Sequence, residues 1–374
     1  MAQRILVGTR KGLFVYGRTS TGWKVEAVHF RGEPLSVVLS DPRDGALYAA
    51  LNLGHFGAKL WRLDSGADTW EECAVPTFPA DAEVNAGPPI GDAPPKTKPA
   101  TLSEIWALET SGPDRPGGLW AGTIPGGLFR SSDRGASWQL VESLWNRPER
   151  WQWFGGGKDD PGIHSVLVDP RSSDRVTVGV SCGGVWQTVD DGANWTCYGK
   201  GLRADYLPPN LADAAPTQDP HRIVSCPAAP DTVWMQHHNG IFLSRDGGAS
   251  WRELTTPRPA AFGFAVAVHP QDPDTAWFVP ATVDACRVPV DARFVVSRTR
   301  DGGETFDVLS RGLPSDDAYD IVFRHALDVD GDGQTLATGS TTGGLWVSEN
   351  GGDDWQCITH TLPPVYCVRF DARA

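Results

Sequence analysis

One octapeptide recurs along the chain and restricts its fold more than any other feature. It reads SSDRGASW ending at Trp138, TVDDGANW at Trp195, SRDGGASW at Trp251, TRDGGETF at Phe306 and SENGGDDW at Trp355. The shared form, Ser/Thr-x-Asp-x-Gly-x-x-Trp, has the chemistry of a tight hairpin turn. Asp and Ser/Thr side chains bond nearby backbone N–H groups, and Gly takes the position that needs a positive φ. The aromatic then opens the outgoing strand and packs between neighbouring sheets.

Each copy follows a strand of the type GGLFRS, GGVWQT, NGIFLS or GGLWVS. One step earlier lies an apolar strand such as LWAGT, VTVGV or TVWMQ, and before that HSVLVDP, FAVAVHP or DIVFRHA. Four strands per unit, repeating every roughly 50–60 residues, is the size of a propeller blade. Two weaker units precede these, one with a worn turn before Trp70 and one ending near Trp23. The first lacks its innermost strand, which the terminal PPVYCVRF can supply. The expectation is therefore an all-β, seven-bladed β-propeller of four-stranded antiparallel blades, its first blade closed by the C-terminal strand. It should occupy residues 1–374 as one domain. Closure removes the sheet edges that would otherwise pair with other chains. Composition agrees: 42 Gly, 30 Pro and 16 Trp against 2 Met suit short strands and tight turns.

The octapeptide resembles the Asp-box, or bacterial neuraminidase repeat, of sialidases, sortilin-type receptors, xyloglucan hydrolases and photosystem II assembly factors. The resemblance covers nearly the whole chain and is nearest to bacterial glycosyl-hydrolase-like proteins that carry these repeats. It implies a scaffold, and a scaffold does not fix a function. In such propellers the octapeptide turn joins the third and fourth strands, so all copies share one face. A ligand site is then expected on the opposite face, built by the turns between second and third strands and by the residues that open each innermost strand.

Those second-to-third turns carry Arg10, Asn52, His55, Cys182, His237, His238, Asn239, Asp284 and Arg287. The innermost strands open at Ser36, Glu104, His164, His221, Phe264, Asp320 and Tyr366. Five of the nine histidines fall in these sets. Glu104, Asp320, His164 and Asp284 are the candidates for acid–base chemistry. Arg10, Asn52, His55, His221, His237, His238, Asn239 and Arg287 are the candidates for holding a small polar molecule or a saccharide. Three connections lack strand periodicity and are long enough to form a rim or lid, at 73–104, 143–164 and 197–222. The second offers Trp145, Trp151, Trp153 and Phe154 as stacking surfaces.

Glycoside hydrolysis needs two carboxylates flanking the bond, and those available here come from different blades. A sialidase would need an arginine cluster, for which Arg10, Arg287 and Arg293 are the material, and a Tyr–Glu pair that the sequence does not show. His164, His221 and His237 or His238, with Glu104, supply donor types suited to a transition metal, but without the short spacing of a metal motif. No metal or cofactor is assigned. DVDGDG at 328–333 imitates an EF-hand opening but has Gly339 at position twelve, so it reads as an acidic turn. FGGGKDD lacks the Ser/Thr and helix of a phosphate loop.

The formal net charge of −13 argues against nucleic acid as a partner. No stretch approaches a membrane span, and no signal peptide is evident at the start of the sequence. Seven scattered cysteines suit reduced thiols and a cytoplasmic setting. Against a ligand site at the channel mouth stands the reading of a non-catalytic scaffold with a protein partner. The two differ in whether the polar ring closes into a pocket.

Overall fold

The computed structural model describes residues 3–87, 96–156 and 158–372. It is a seven-bladed β-propeller of four-stranded antiparallel sheets. In blade 1 the strands Gly22–His29, Gly12–Thr19 and Arg4–Thr9 are completed by Val365–Phe370, whose Phe370 lies opposite Ile5. The terminal strand is thus the missing inner strand of the first blade. Blades 2 to 7 follow in chain order at residues 35–73, 104–140, 162–198, 220–253, 263–309 and 327–359. Trp120, Trp186, Trp234, Trp277 and Trp346 are fully buried among the sheets. Among the described residues no helix is long and apolar enough to cross a membrane.

The octapeptides form the turns between third and fourth strands, as their chemistry requires. In blade 6, Thr299 Oγ1 donates to Asp301 Oδ1 (2.9 Å) and accepts the Gly303 N–H (2.9 Å). The Asp301 carboxylate also accepts the N–H groups of Glu304 and Thr305 and the Thr305 hydroxyl. Ser131–Asp133, Thr188–Asp190 and Ser244–Asp246 repeat the arrangement, and Asn350 substitutes for the Asp in blade 7. The invariant turn glycine has φ near +88° at Gly303 and +84° at Gly135, where a side chain would be strained. The same turns fasten adjacent blades. The backbone N–H of Trp251 bonds to Lys200 and that of Trp355 to Arg311, both residues leaving the preceding blade. Gly312 beside Arg311 presses on the Trp355 carbonyl so closely that a Cβ would lie 1.8 Å from its oxygen.

A second repeated device lies at the other end of the blades. Register shifts near the start of six inner strands leave an extra residue unpaired. These bulges fall at Ser36, Trp106, His164, His221, Phe264–Ala265 and Tyr366. A bulge sharpens the twist and re-aims the side chain it carries. In blade 7 the inner strand shortens to Leu327–Val329, and residues 320–326 run irregularly ahead of it. The expected strand DIVFRHA is therefore mostly not a strand.

The long connections are less featureless than their composition suggests. Residues 73–104 contain a small hairpin, Glu83–Asn85 with Thr97–Pro99. Residues 143–164 overlap two helical turns, Glu142–Trp145 and Pro148–Gln152. Trp145 and Trp153 are buried in the sheet packing, and Arg150 lies over the rings of Trp145 and Trp151. Trp145 and Trp153 thus pin the loop down and are not free to stack on a ligand, whereas Trp151 and Phe154 are half-buried. DVDGDG is an acidic turn, with Asp330 Oδ1 accepting the N–H groups of Gln334 and Thr335.

Candidate functional site

Strand direction alternates within a blade, so the octapeptide turns and the bulged ends must lie on opposite faces. On the bulged face the channel mouth opens into a cavity of about 790 Å³. Arg10, Asn52, Glu104 and Arg287 line it together, as the topology predicted. Trp106, Lys158, Phe264, Phe323, Arg324, His325 and Tyr366 complete its inner wall.

Glu104 is the organising carboxylate of one side. It is 7% exposed, and its Oε2 accepts from Asn52 Nδ2 (3.1 Å) and from Lys158 Nζ (2.9 Å). Blade 2, blade 3 and the 143–164 connection are joined at that oxygen. Opposite, the Arg324 guanidinium lies 4.8 Å from the Trp106 ring centroid and 5.4 Å from that of Phe264. Two aromatic faces thus flank the cation. Among the described residues Arg324 Nε is buried with no hydrogen-bond partner, and burial pulls the guanidinium below its ordinary value. At the rim Phe323 and Tyr366 pack at 5.8 Å, with Phe323 37% and Phe56 74% exposed.

The remaining candidates separate into different environments. Asp320 does not line the cavity: its Oδ1 accepts from the hydroxyls of Ser340 and Thr342 and so ties down a turn of blade 7. His164 is fully buried, with Nδ1 on Ser165 Oγ (2.8 Å), its ring edge-on to Trp106, and burial holds it well below the usual imidazole range. Its carbonyl accepts His325 Nε2 (2.8 Å) and Arg222 Nη1 (3.1 Å), which ties blades 4, 5 and the start of blade 7 together. His55 packs at a tilt against Phe56 and does not line the cavity. His237 is buried, with a backbone N–H facing each ring nitrogen, and burial lowers it to about 3; Asn239 lies half-buried beside it.

A second cluster stands behind Phe264, which stacks on His221 at 4.7 Å. Asp219 Oδ2 lies 3.4 Å from His221 Nε2 and 3.4 Å from His238 Nδ1, and His238 Nε2 lies 3.9 Å from Asp284. Asp284 is paired with Arg287 of the cavity wall, so the two groups share a partition. Burial pushes Asp219 up, but His221, His238 and Arg324 outweigh it and hold the carboxyl well below its usual range. The Cys182 thiol adjoins this cluster, and burial, with Asp219 beside it, pushes it far up, which removes its nucleophilic form.

Trp106, Lys158, Arg324, His325 and Asp219 belong to these two groups without standing out as site residues in the sequence. Trp106 was legible: EIWAL and GIHSV align so that Trp106 matches His164, both bulged. Arg324 and His325 were hidden by the broken strand, which displaces the mouth residues from Asp320 to 323–325. Asp219, in TQDPHR, looked like one more acidic turn residue.

Three kinds of likeness accompany this geometry. A "Probable oligoxyloglucan-reducing end-specific xyloglucanase" of Neosartorya fischeri is 26% identical over 270 residues, covering 65% of this chain and 31% of its own length. The chain thus spans about a third of that relative. The crystal structure of an ancestral GH74 enzyme superposes with a TM-score of 0.59 at 16% identity, over 87% of this chain and 38% of its own. YCF48 from Cyanidioschyzon merolae superposes with a TM-score of 0.52 at 12% identity, over 87% and 84%. No protein-family model matches. The structural likenesses establish the fold.

Proposed function

We propose that this chain is a glycosyl-hydrolase-like propeller of the Asp-box type whose mouth cavity binds a small polar ligand, a saccharide. The observation that carries this reading is the convergence of Glu104, Asn52, Lys158, Arg10 and Arg287 around one cavity with aromatic walls. Ligand pockets combine apolar walls with a few placed polar groups. The Phe323–Tyr366 pair offers an apolar face for the C–H side of a pyranose ring, while Glu104 and the cations meet its hydroxyls. The weak similarity to a xyloglucanase supports the same class. If the bound sugar is also cleaved, Glu104 and Glu33 are the carboxylates that line the cavity and would have to act as the pair.

A panel of neutral and acidic oligosaccharides, xyloglucan fragments included, tests the reading by calorimetry. Tyr366→Ala should weaken the best ligand by about 5–10-fold, the worth of one aromatic contact near 1 kcal/mol. Glu104→Gln should weaken it too and abolish any cleavage. No binding across the panel removes the reading. The second reading, a peptide-binding scaffold, draws on the exposed Phe56 and Phe323 at the rim. Capture of a protein segment that Phe56→Ser abolishes, with no sugar bound, would favour it.

A further inference from the structure

Behind the wall of the mouth cavity, one carboxylate and two imidazoles converge at Asp219, His221 and His238. Asp219 immediately precedes the inner strand Pro220–Cys226 that carries His221, and His238 follows the strand Ala229–His237. The His238 N–H bonds to the Asp219 carbonyl (3.0 Å), which fixes the two chain segments together. One carboxylate oxygen is fully used: Oδ1 accepts Ser181 Oγ and the Cys182 N–H, both at 3.0 Å. The other, Oδ2, faces the two imidazoles.

Those contacts are not ordinary hydrogen bonds. His221 Nδ1 donates to the Gly263 carbonyl at 2.6 Å, so in the neutral ring Nε2 turns a lone pair, not a proton, toward Asp219. His238 turns Nε2 toward the Asp284 carboxylate and Nδ1 toward Asp219. Asp219 and His221 therefore face each other as two acceptors, and His238, with a carboxylate before each ring nitrogen, turns Nδ1 to the same point. Their 3.4 Å separations exceed a charge-assisted N–H···O bond of about 2.8 Å. They match the edge of a tetrahedron around an ion with bonds of about 2.1 Å, which is about 3.4 Å. All three donor atoms lie within 4.8 Å of one another. The far nitrogens of both rings meet a backbone carbonyl and a carboxylate, the outer-shell partners that metal-bound histidines use.

We propose that Asp219, His221 and His238 form a binding site for a divalent first-row transition metal, of which Zn2+ is the probe. The donor set, two imidazole nitrogens and one carboxylate oxygen, suits such an ion and not Ca2+ or Mg2+. Three protein ligands leave coordination open for water or a ligand group. The open side is that of His238, the most exposed of the three side chains at 21% against 5% and 3%. Asp284 connects it through Arg287 to the mouth cavity. This proposal stands on its own geometry and does not depend on the saccharide reading.

The test uses the full chain, stripped with a chelator, re-equilibrated with Zn2+ and measured for bound metal, with Co2+ absorbance reporting the coordination. The wild type should retain one equivalent. His238→Gln, at a partly exposed position where folding is retained, should lose it, and His221→Ala should behave alike if it folds. Asp284→Asn should weaken binding by roughly 10-fold through the outer shell. The control His55→Ala, outside the cluster, should keep the full equivalent. A wild type that retains no metal, or a His238→Gln variant that keeps its equivalent, overturns the proposal.

Discussion

Replacing Thr299 by Val isolates what one octapeptide contributes, because Val keeps the shape and removes only the hydroxyl. Thr299 is buried, and its Oγ1 makes two bonds of 2.9 Å, to Asp301 Oδ1 and from the Gly303 N–H. Losing them removes about 1 kcal/mol each, and the buried Gly303 N–H is left unpaired, for a total of about 2–4 kcal/mol. A chain of 374 residues unfolds with an entropy of about 0.8 kcal/mol/K, so the melting temperature should fall by about 3–5 °C. Differential scanning calorimetry measures this directly. Metal and saccharide affinities, both placed at the opposite face, should be unchanged. A shift below about 1 °C would show that the octapeptide hydroxyl does not hold the turn. A normal melting temperature with lost ligand binding would refute the separation of the two faces.

Two further outcomes follow from the same geometry. The Thr305 hydroxyl and neighbouring N–H groups hold Asp301 down at about 2. A depressed carboxylate stabilises the fold above its unfolded pKa of about 4, and that advantage disappears as pH falls through about 2. The melting-temperature gap between wild type and Asp301→Asn should therefore close between about pH 4 and 2; a gap constant over that range contradicts the carboxylate's role. Cys286 is the exposed thiol, whereas Cys182 and Cys367 are buried and burial pushes both up, Cys367 to about 11. Ellman's reagent should thus label Cys286 ahead of the half-buried Cys73, Cys197 and Cys357 in the native protein, and Cys286→Ser should abolish that fastest phase. Fast labelling of Cys182 or Cys367 would mean the mouth opens far more than its packing suggests.

The fold was legible because the octapeptide combines three local requirements that only a tight turn satisfies: an acceptor pair, a positive φ and an aromatic start to the next strand. Blade count and closure then followed from spacing, including the pairing of Val365–Phe370 with Arg4–Thr9. Placement at the mouth was legible from strand alternation, which is why Arg10, Asn52, Glu104 and Arg287 do meet in one cavity. Local patterns failed where the backbone departs from its period. Bulges shift the side chain that faces the channel by one position, so Trp106 lines the cavity beside Glu104. The broken inner strand of blade 7 leaves Asp320 in a turn and sends Arg324 between two aromatic rings. The ring contacts of Arg324 join residues 218 and 60 positions apart, and no short sequence window contains them.

The proposed function lies in the mouth cavity, on the face away from the octapeptides, and a crystal of the full chain soaked with its best-binding oligosaccharide tests that most directly. Sugar density against Phe323 and Tyr366, with hydroxyls reaching Glu104 or Lys158, is the result predicted. Density on the octapeptide face, or a cavity left empty by a saccharide that binds in solution, would contradict it.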